Sequence, residues 1–278
     1  STIDEAIAIA DKRLVFVSEA LMINSGKERR TVIIEKGPKG SDVFESSEDY
    51  TVCANHYQSD GFKDTELNLE NIKQSDSDYR HRKIEQLVTE ANGIDALKTS
   101  EILRDQNDLD GTTLGMGNPR AINQMIGHHS VIFEPAKLKI WISTAPWQLG
   151  EYVCYDLNEI FSLKGVPSDE IDSKSDEIAK DPFLGSDAYN NFIYFRTKKK
   201  DINEFLGKRI QLEISDEEAQ KFIDPNPEYY ESYMMLGLFF HKKKQYQKAK
   251  TYLSTALTKK VASKDEEDKI KELIGKCK

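Results

Sequence analysis

Residues 52–59, VCANHYQS, set the amide of Asn55 beside the imidazole of His56 at the end of DYTVCANHY, an alternating run that reads as a strand. The amide does not titrate, whereas the imidazole does so near neutrality. Asn55 also suits an Asx turn at a strand end, and His56 also suits a packed histidine with satisfied nitrogens. Further along, Arg80 and Arg82 carry guanidinium forks that could orient a carboxylate or hold a framework; a solvated helix face is the other reading. His128, His129 and Ser130 suggest metal or triad chemistry. Adjacent strand residues point to opposite faces, so one histidine is expected buried and one exposed rather than both on one ion. Cys53, Cys154 and Cys277 are far apart and lack CxxC spacing, which argues against a zinc or disulfide framework.

The elements that must position these groups are legible in part. TIDEAIAIADKR starts with Thr2 as an N-cap, acids in the first turn, and Ile3, Ala6, Ile7 and Ala10 on one helical face. LVFVSEALMINS and TVIIEK read as two strands around a turn, and DYTVCANHY as a third. After a polar stretch, Ser77 or Asp78 is expected to cap a helix that Gly93 closes, followed by a shorter helix in GIDALKTSEILRD. A Gly-rich loop holding Arg120 then leads to HHSVIFEP, KLKIWISTA and GEYVCYDLNEIF, read as consecutive antiparallel strands, two of them joined around Pro135. This order predicts a layered α+β domain over residues 1–162. Residues 163–227 read as a polar linker with one or two irregular elements. Residues 228–278 place Tyr233, Leu236, Gly237, Phe240, Ala249, Leu253 and Ala256 at the spacing of one tetratricopeptide repeat, with a third helix as its cap.

Composition narrows the function classes. A net charge of -9 argues against a general nucleic-acid binder, because affinity for phosphate rests on clustered Lys and Arg. No apolar run is long enough to span a membrane. No metal, nucleotide or flavin is called for, so no cofactor is expected, and no compartment is indicated.

Three stretches, in order, carry a resemblance. VIIEKGP is an E-x-x-P-like segment that ends two strands after a helix. Ala54-Asn55-His56 stands for a Thr-Asn-His motif. Ser77, Asp78, Tyr79 and Arg80, then Ile84, give Ser-x-x-Arg-x-x-x-hydrophobic at a helix start. RAINQMIGHHSVIFEP, a Trp-bearing strand and YVCYDL follow as closing strands. Residues 1–160 thereby resemble the autoproteolytic acyltransferase family of the N-terminal-nucleophile hydrolases. That family includes the acyl-coenzyme A:6-aminopenicillanic acid acyltransferase and is related more distantly to choloylglycine hydrolases and penicillin V acylases. The resemblance implies an incomplete four-layer αββα sandwich with a helical, tetratricopeptide-like appendage. It implies that Asn55 contributes its amide to the oxyanion hole, where one such donor is typically worth about 3 kcal/mol. His56, Ser77, Arg80 and Arg120 are expected to bind substrate or frame the site, with Arg120 at its mouth.

In that family the nucleophile is a cysteine exposed at a new N-terminus, its own amine acting as base. Nothing in this sequence occupies that position. Cys53 sits in an expected strand without a free amine, and Ser1 precedes a helix rather than a strand. The expectation is therefore a C-terminal fragment of an amide hydrolase or acyltransferase, itself without turnover. Its partners would be a small-molecule amide or acyl donor and the missing N-terminal part. Exposed sheet edges would favour a homodimer. The alternative is a non-catalytic scaffold whose helical repeat recruits a peptide or protein.

Overall fold

Thr2 starts the first helix by a reciprocal pair of bonds: its Oγ1 accepts from Glu5 N at 3.2 Å, and the Glu5 carboxylate accepts from Thr2 N at 2.9 Å. The computed structural model describes residues 2–165 and 171–278; Ser1, considered above for its free amine, lies outside them. Two units divide the chain, Ser1–Arg104 with His128–Ala179, and Asp105–Gly127 with Lys180–Lys278.

In the first unit, α1 (Ile3–Asp11) turns Ile3, Ile7 and Ala10 onto Val32 and Ile34 of a three-stranded antiparallel sheet. The sheet runs in the order β1 (Glu19–Ser25), β2 (Arg30–Gly37) and β3 (Gly40–Phe44), with Ile34 opposite both Leu21 and Val43. The central strand is buried on both faces from Val32 to Lys36. Lys36 Nζ donates to Ala10 O at 2.8 Å and so satisfies a carbonyl at the end of α1.

Two strand expectations are corrected here. The first strand starts at Glu19, leaving Leu14 and Phe16 exposed before it. The third strand is GSDVF, at residues 40–44, and the alternating run at 49–57 belongs to no strand. That run has an apolar–polar rhythm, but side chains claim its backbone groups before a neighbouring strand can.

After it come α2 (Glu66–Gln74), α3 (Ser77–Glu90) and α4 (Ala96–Leu103). Asp76 occupies the cap position of α3, so Ser77 is the first helical residue and not the cap. A second antiparallel sheet follows: β4 (Val131–Glu134), β5 (Lys139–Ser143) and β6 (Tyr152–Asp156), with Pro135 in the first turn as expected. Its core is Ile132, Trp141, Tyr152, Cys154 and Ile178, against which Ala96 and Leu103 of α4 pack. The run after β6 turns directly into α5 (Leu157–Ser162). Gly26, in the β1–β2 turn, meets the β4–β5 turn closely: a Cβ there would lie 2.8 Å from the Pro135 carbonyl carbon. The unit is thus α+β, with two small sheets whose hairpin tips touch.

The second unit is helical: α6 (Asp187–Leu206), α7 (Asp216–Ile223), α8 (Tyr230–Lys242), α9 (Tyr246–Ala256) and α10 (Lys264–Lys276). Two of these helices occupy the stretch expected to be an irregular linker. α6 buries Phe192, Phe195, Ile202 and Phe205, with Phe195 stacked on Phe222 of α7 at 4.8 Å and Phe205 tilted on Phe239 of α8 at 4.9 Å. Gly237 of α8 and Ala249 of α9 mark a close crossing, since a Cβ at Gly237 would fall 2.5 Å from Leu253 Cγ. The loop 105–127 is tied to these helices by side-chain amides. Asn226 accepts from Met116 N at 2.9 Å and donates to Met116 O at 2.8 Å, and Asn118 donates to Lys260 O at 2.9 Å. No helix among the described residues is long and apolar enough to cross a membrane.

Candidate active site

Glu35 organises the site from below. It is a fully buried carboxylate on the central strand β2, and it accepts from Gln58 N at 2.7 Å, Ser59 N at 3.0 Å and Ser59 Oγ at 2.6 Å. Buried charge is tolerated when hydrogen bonds replace water, and here three donors do so. Other side chains hold the segment above it. Asn68 of α2 accepts from Tyr57 N at 2.8 Å and donates to Tyr57 O at 3.0 Å, copying a strand's pairing with one side chain. Gln58 Nε2 donates to Val52 O at 2.8 Å, and Asn71 Nδ2 to Asn55 O at 2.6 Å.

The structure brings four predicted residues together on this frame. Arg80 of α3 donates from Nη2 to Asn55 Oδ1 at 2.7 Å. The carbonyl end of the Asn55 amide is thus occupied by a cation, and its Nδ2 donors have no protein acceptor among the described residues. Asn55 lines a cavity of about 610 Å3 together with His56, Cys53 and Leu67. The bond from Arg80 also polarises the amide, which makes its N–H groups better donors. Burial draws the Arg80 guanidinium below its ordinary value against the opposing charge of Asp76, but an arginine starting so high stays a cation.

His56 Nδ1 lies 2.8 Å from Oγ of the buried Ser77, and its ring centroid is 5.2 Å from that of His81. Burial first, and then the nearby His81, push the His56 imidazole below its ordinary pKa. It is therefore a neutral ring at neutral pH, anchored at one nitrogen by a hydroxyl.

Arg120 belongs to the second unit, where its Nε donates to Ala262 O at 3.1 Å. Arg82 pairs with Asp78 one turn away, at 2.9 Å on an exposed face. His128 and His129 are both exposed, because β4 starts only at Val131; the expected split into one buried and one exposed ring does not occur.

Neither Cys53 nor Cys154 is set up as a free thiolate, since burial raises the pKa of both. Burial and the charge of Glu35 raise the pKa of Cys53, which lies in irregular chain rather than in the expected strand. Cys154 is fully buried in the second sheet, and Cys277 Sγ lies 3.3 Å from Leu273 O at the end of α10. Among the described residues no three His, Cys, Asp or Glu side chains gather as metal ligands would.

Sequence reasoning gave no role to Gln58, Asn68 and Asn71, and it read Glu35 only as the acid of the E-x-x-P-like segment VIIEKGP. Glu35 had a readable signal, a lone acid within the β-branched run TVIIEK. Asn68 and Asn71 lie in ELNLENIKQ, where nothing in the spacing marks one amide above another.

An amide fixed from behind by a cation and opening on a cavity, carried by an α+β frame, is equipment suited to the handling of acyl groups. The model of the acyl-coenzyme A:6-aminopenicillanic acid acyl-transferase family matches residues 1–146, more than half of the chain, and the chain belongs to that family. No curated protein and no solved structure matches it. Family membership indicates chemistry of the acyltransferase or hydrolase kind.

Proposed function

We propose that the first unit is the oxyanion-binding part of an N-terminal-nucleophile enzyme that cleaves linear amide C–N bonds or transfers the acyl group. The observation that carries this reading is the Arg80–Asn55 bond. It spends the acceptor of the amide on a cation, and the Nδ2 donors of a residue that lines the cavity stay available to an oxyanion. In the ground state the substrate carbonyl would lie near Nδ2; as the carbonyl carbon becomes tetrahedral, the negative charge gathers on oxygen and the amide donors stabilise it. His56, neutral and tethered to Ser77, forms part of the wall and does not serve as a charged group.

On this reading the nucleophile is neither Cys53, Cys154 nor Cys277, since none of them carries the free α-amine that would take the thiol proton. A cysteine at a mature N-terminus outside these residues fills the role, its amine taking the thiol proton. The frame is then part of the αββα sandwich, and α8 with α9 one tetratricopeptide-like repeat capped by α10; the Gly237–Leu253 crossing supports the latter.

The test is N-terminal sequencing of the natively expressed protein, together with hydrolysis of acyl anilides. A chain opening on cysteine should show turnover that Asn55→Ala lowers about 10²–10³-fold in kcat. Arg80→Gln should lower kcat about tenfold with KM little changed, because it acts through Asn55. A native chain that starts near Ser1 and lacks turnover would overturn the enzyme reading and leave the binding scaffold.

A further inference from the structure

The second unit contains a cavity of its own, of about 570 Å3, between α6, the loop 105–127 and Tyr229. Its floor is apolar and aromatic: Phe192, Phe195 and Tyr229 are buried, and Met125 closes the loop side. Its wall is cationic. Arg196, Lys199 and Lys200 of α6 face it, with Arg209 just beyond the helix end. Glu204 is the acid on this wall and lies 3.8 Å from Lys200, while Lys199 is paired with Glu231. The cations outnumber these acids, and Arg209 makes no ion pair among the described residues. Arg196 is held in place by donation from Nη1 to Met125 O at 2.9 Å, and its guanidinium lies 6.0 Å from the centre of the Phe192 ring.

We propose that this cavity binds a small amphiphilic carboxylate, its anion on Arg209 and Arg196 and its apolar body against Phe192, Phe195 and Met125. The volume is that of pockets that enclose small organic ligands, and such pockets combine an apolar lining with a few convergent polar groups. Guanidinium forks match a carboxylate with two parallel bonds. Glu204 at the same wall penalises a dianion more than a monoanion, which selects a carboxylate over a phosphate monoester. The inference concerns the helical unit alone and does not rest on the acyl-transfer reading of Asn55.

Isothermal titration of the full chain with decanoate tests it. Decanoate should bind saturably at one site, with decanol and decyltrimethylammonium at least tenfold weaker. Arg209→Gln should weaken decanoate at least tenfold, whereas Lys271→Gln, on the exposed face of α10, should leave it unchanged. Arg196→Gln should act like Arg209→Gln. Because Arg196 also holds the Met125 carbonyl, its circular dichroism is compared with that of the unaltered chain, and Arg209, being exposed, decides the matter if that variant is unfolded. Absence of saturable binding into the millimolar range, decanol binding as well as decanoate, or an unaffected Arg209→Gln variant would each overturn the proposal. Decyl phosphate binding tenfold more tightly than decanoate would overturn the choice of carboxylate.

Discussion

The segment 52–59 and the α8–α9 hairpin solve the same problem in opposite ways. Each must hold backbone against a neighbour at close range. In the hairpin, regular hydrogen bonds satisfy the backbone within each helix, so contact is free to be apolar: Leu236, Phe239, Ala249 and Leu253 are buried around the notch left by Gly237. In 52–59 the chain is irregular, and Glu35, Asn68, Asn71 and Gln58 supply the missing partners one by one. Apolar packing tolerates small shifts because it is non-directional, whereas a set of directed bonds fixes atoms in place. A segment that must aim an amide at a reacting atom gains from the second solution.

The comparison predicts a ranking of effects. Phe239→Ala removes a fully packed ring and should lower stability by about 3–5 kcal/mol, read from urea or thermal unfolding of the second unit. A cost below 1 kcal/mol would show the hairpin to be loosely packed and weaken the contrast. Next, Glu35→Ala leaves two backbone N–H groups and the Ser59 hydroxyl without their acceptor, at about 3 kcal/mol in total if each costs the lower end of about 1–3 kcal/mol because water reaches the half-buried Gln58 N–H. Its more telling readout is hydrogen exchange at Gln58 and Ser59, which should become fast even where the unit stays folded. Unchanged protection there would mean that Glu35 does not hold the segment.

A smaller effect comes with pH. Because burial lowers the His56 pKa on folding, the folded chain binds fewer protons than the unfolded one at acid pH. Stability is therefore full above the ordinary histidine value of about 6.5, falls as pH drops below it, and levels off beneath the lowered pKa. His56→Gln should flatten that decline, measured as unfolding midpoints between about pH 7 and pH 5; superimposable curves for the two proteins would remove His56 from the account. The smallest effect belongs to Arg82→Ala, which breaks an exposed pair with Asp78 and a loose contact with the Tyr79 ring at 5.9 Å, and should cost less than about 0.5 kcal/mol. A larger loss would indicate that α3 anchors the site through more than Arg80.

What the sequence revealed followed from regular periodicity. Thr2 with Glu5 announced α1, and Gly237 with Ala249 announced the hairpin, because in each case local spacing and final packing agree. The third strand was misplaced because GSDVF carries glycine and aspartate, weak strand formers, while residues 49–57 alternate convincingly. No periodicity encodes the competing claim of Glu35, Asn68 and Asn71 on that backbone. α6 was hidden by its surface: the run TKKKD masks a face on which Phe192, Phe195, Ile202 and Phe205 recur at helical spacing. Asn55 and Arg80 were legible as residues of interest, but the bond joining them across α3 and the loop required the fold.

Because the chain leaves the first unit after Arg104, contributes residues 105–127 to the helical unit and returns at His128, the two units are not separable genetic cassettes. A deletion of everything after residue 179 would strip Asn226, Lys260 and Ala262 from a loop whose backbone and arginine depend on them. Recombination that moved the family-matched stretch alone would carry the same bare loop with it. Inheritance of one unit therefore entails inheritance of the other.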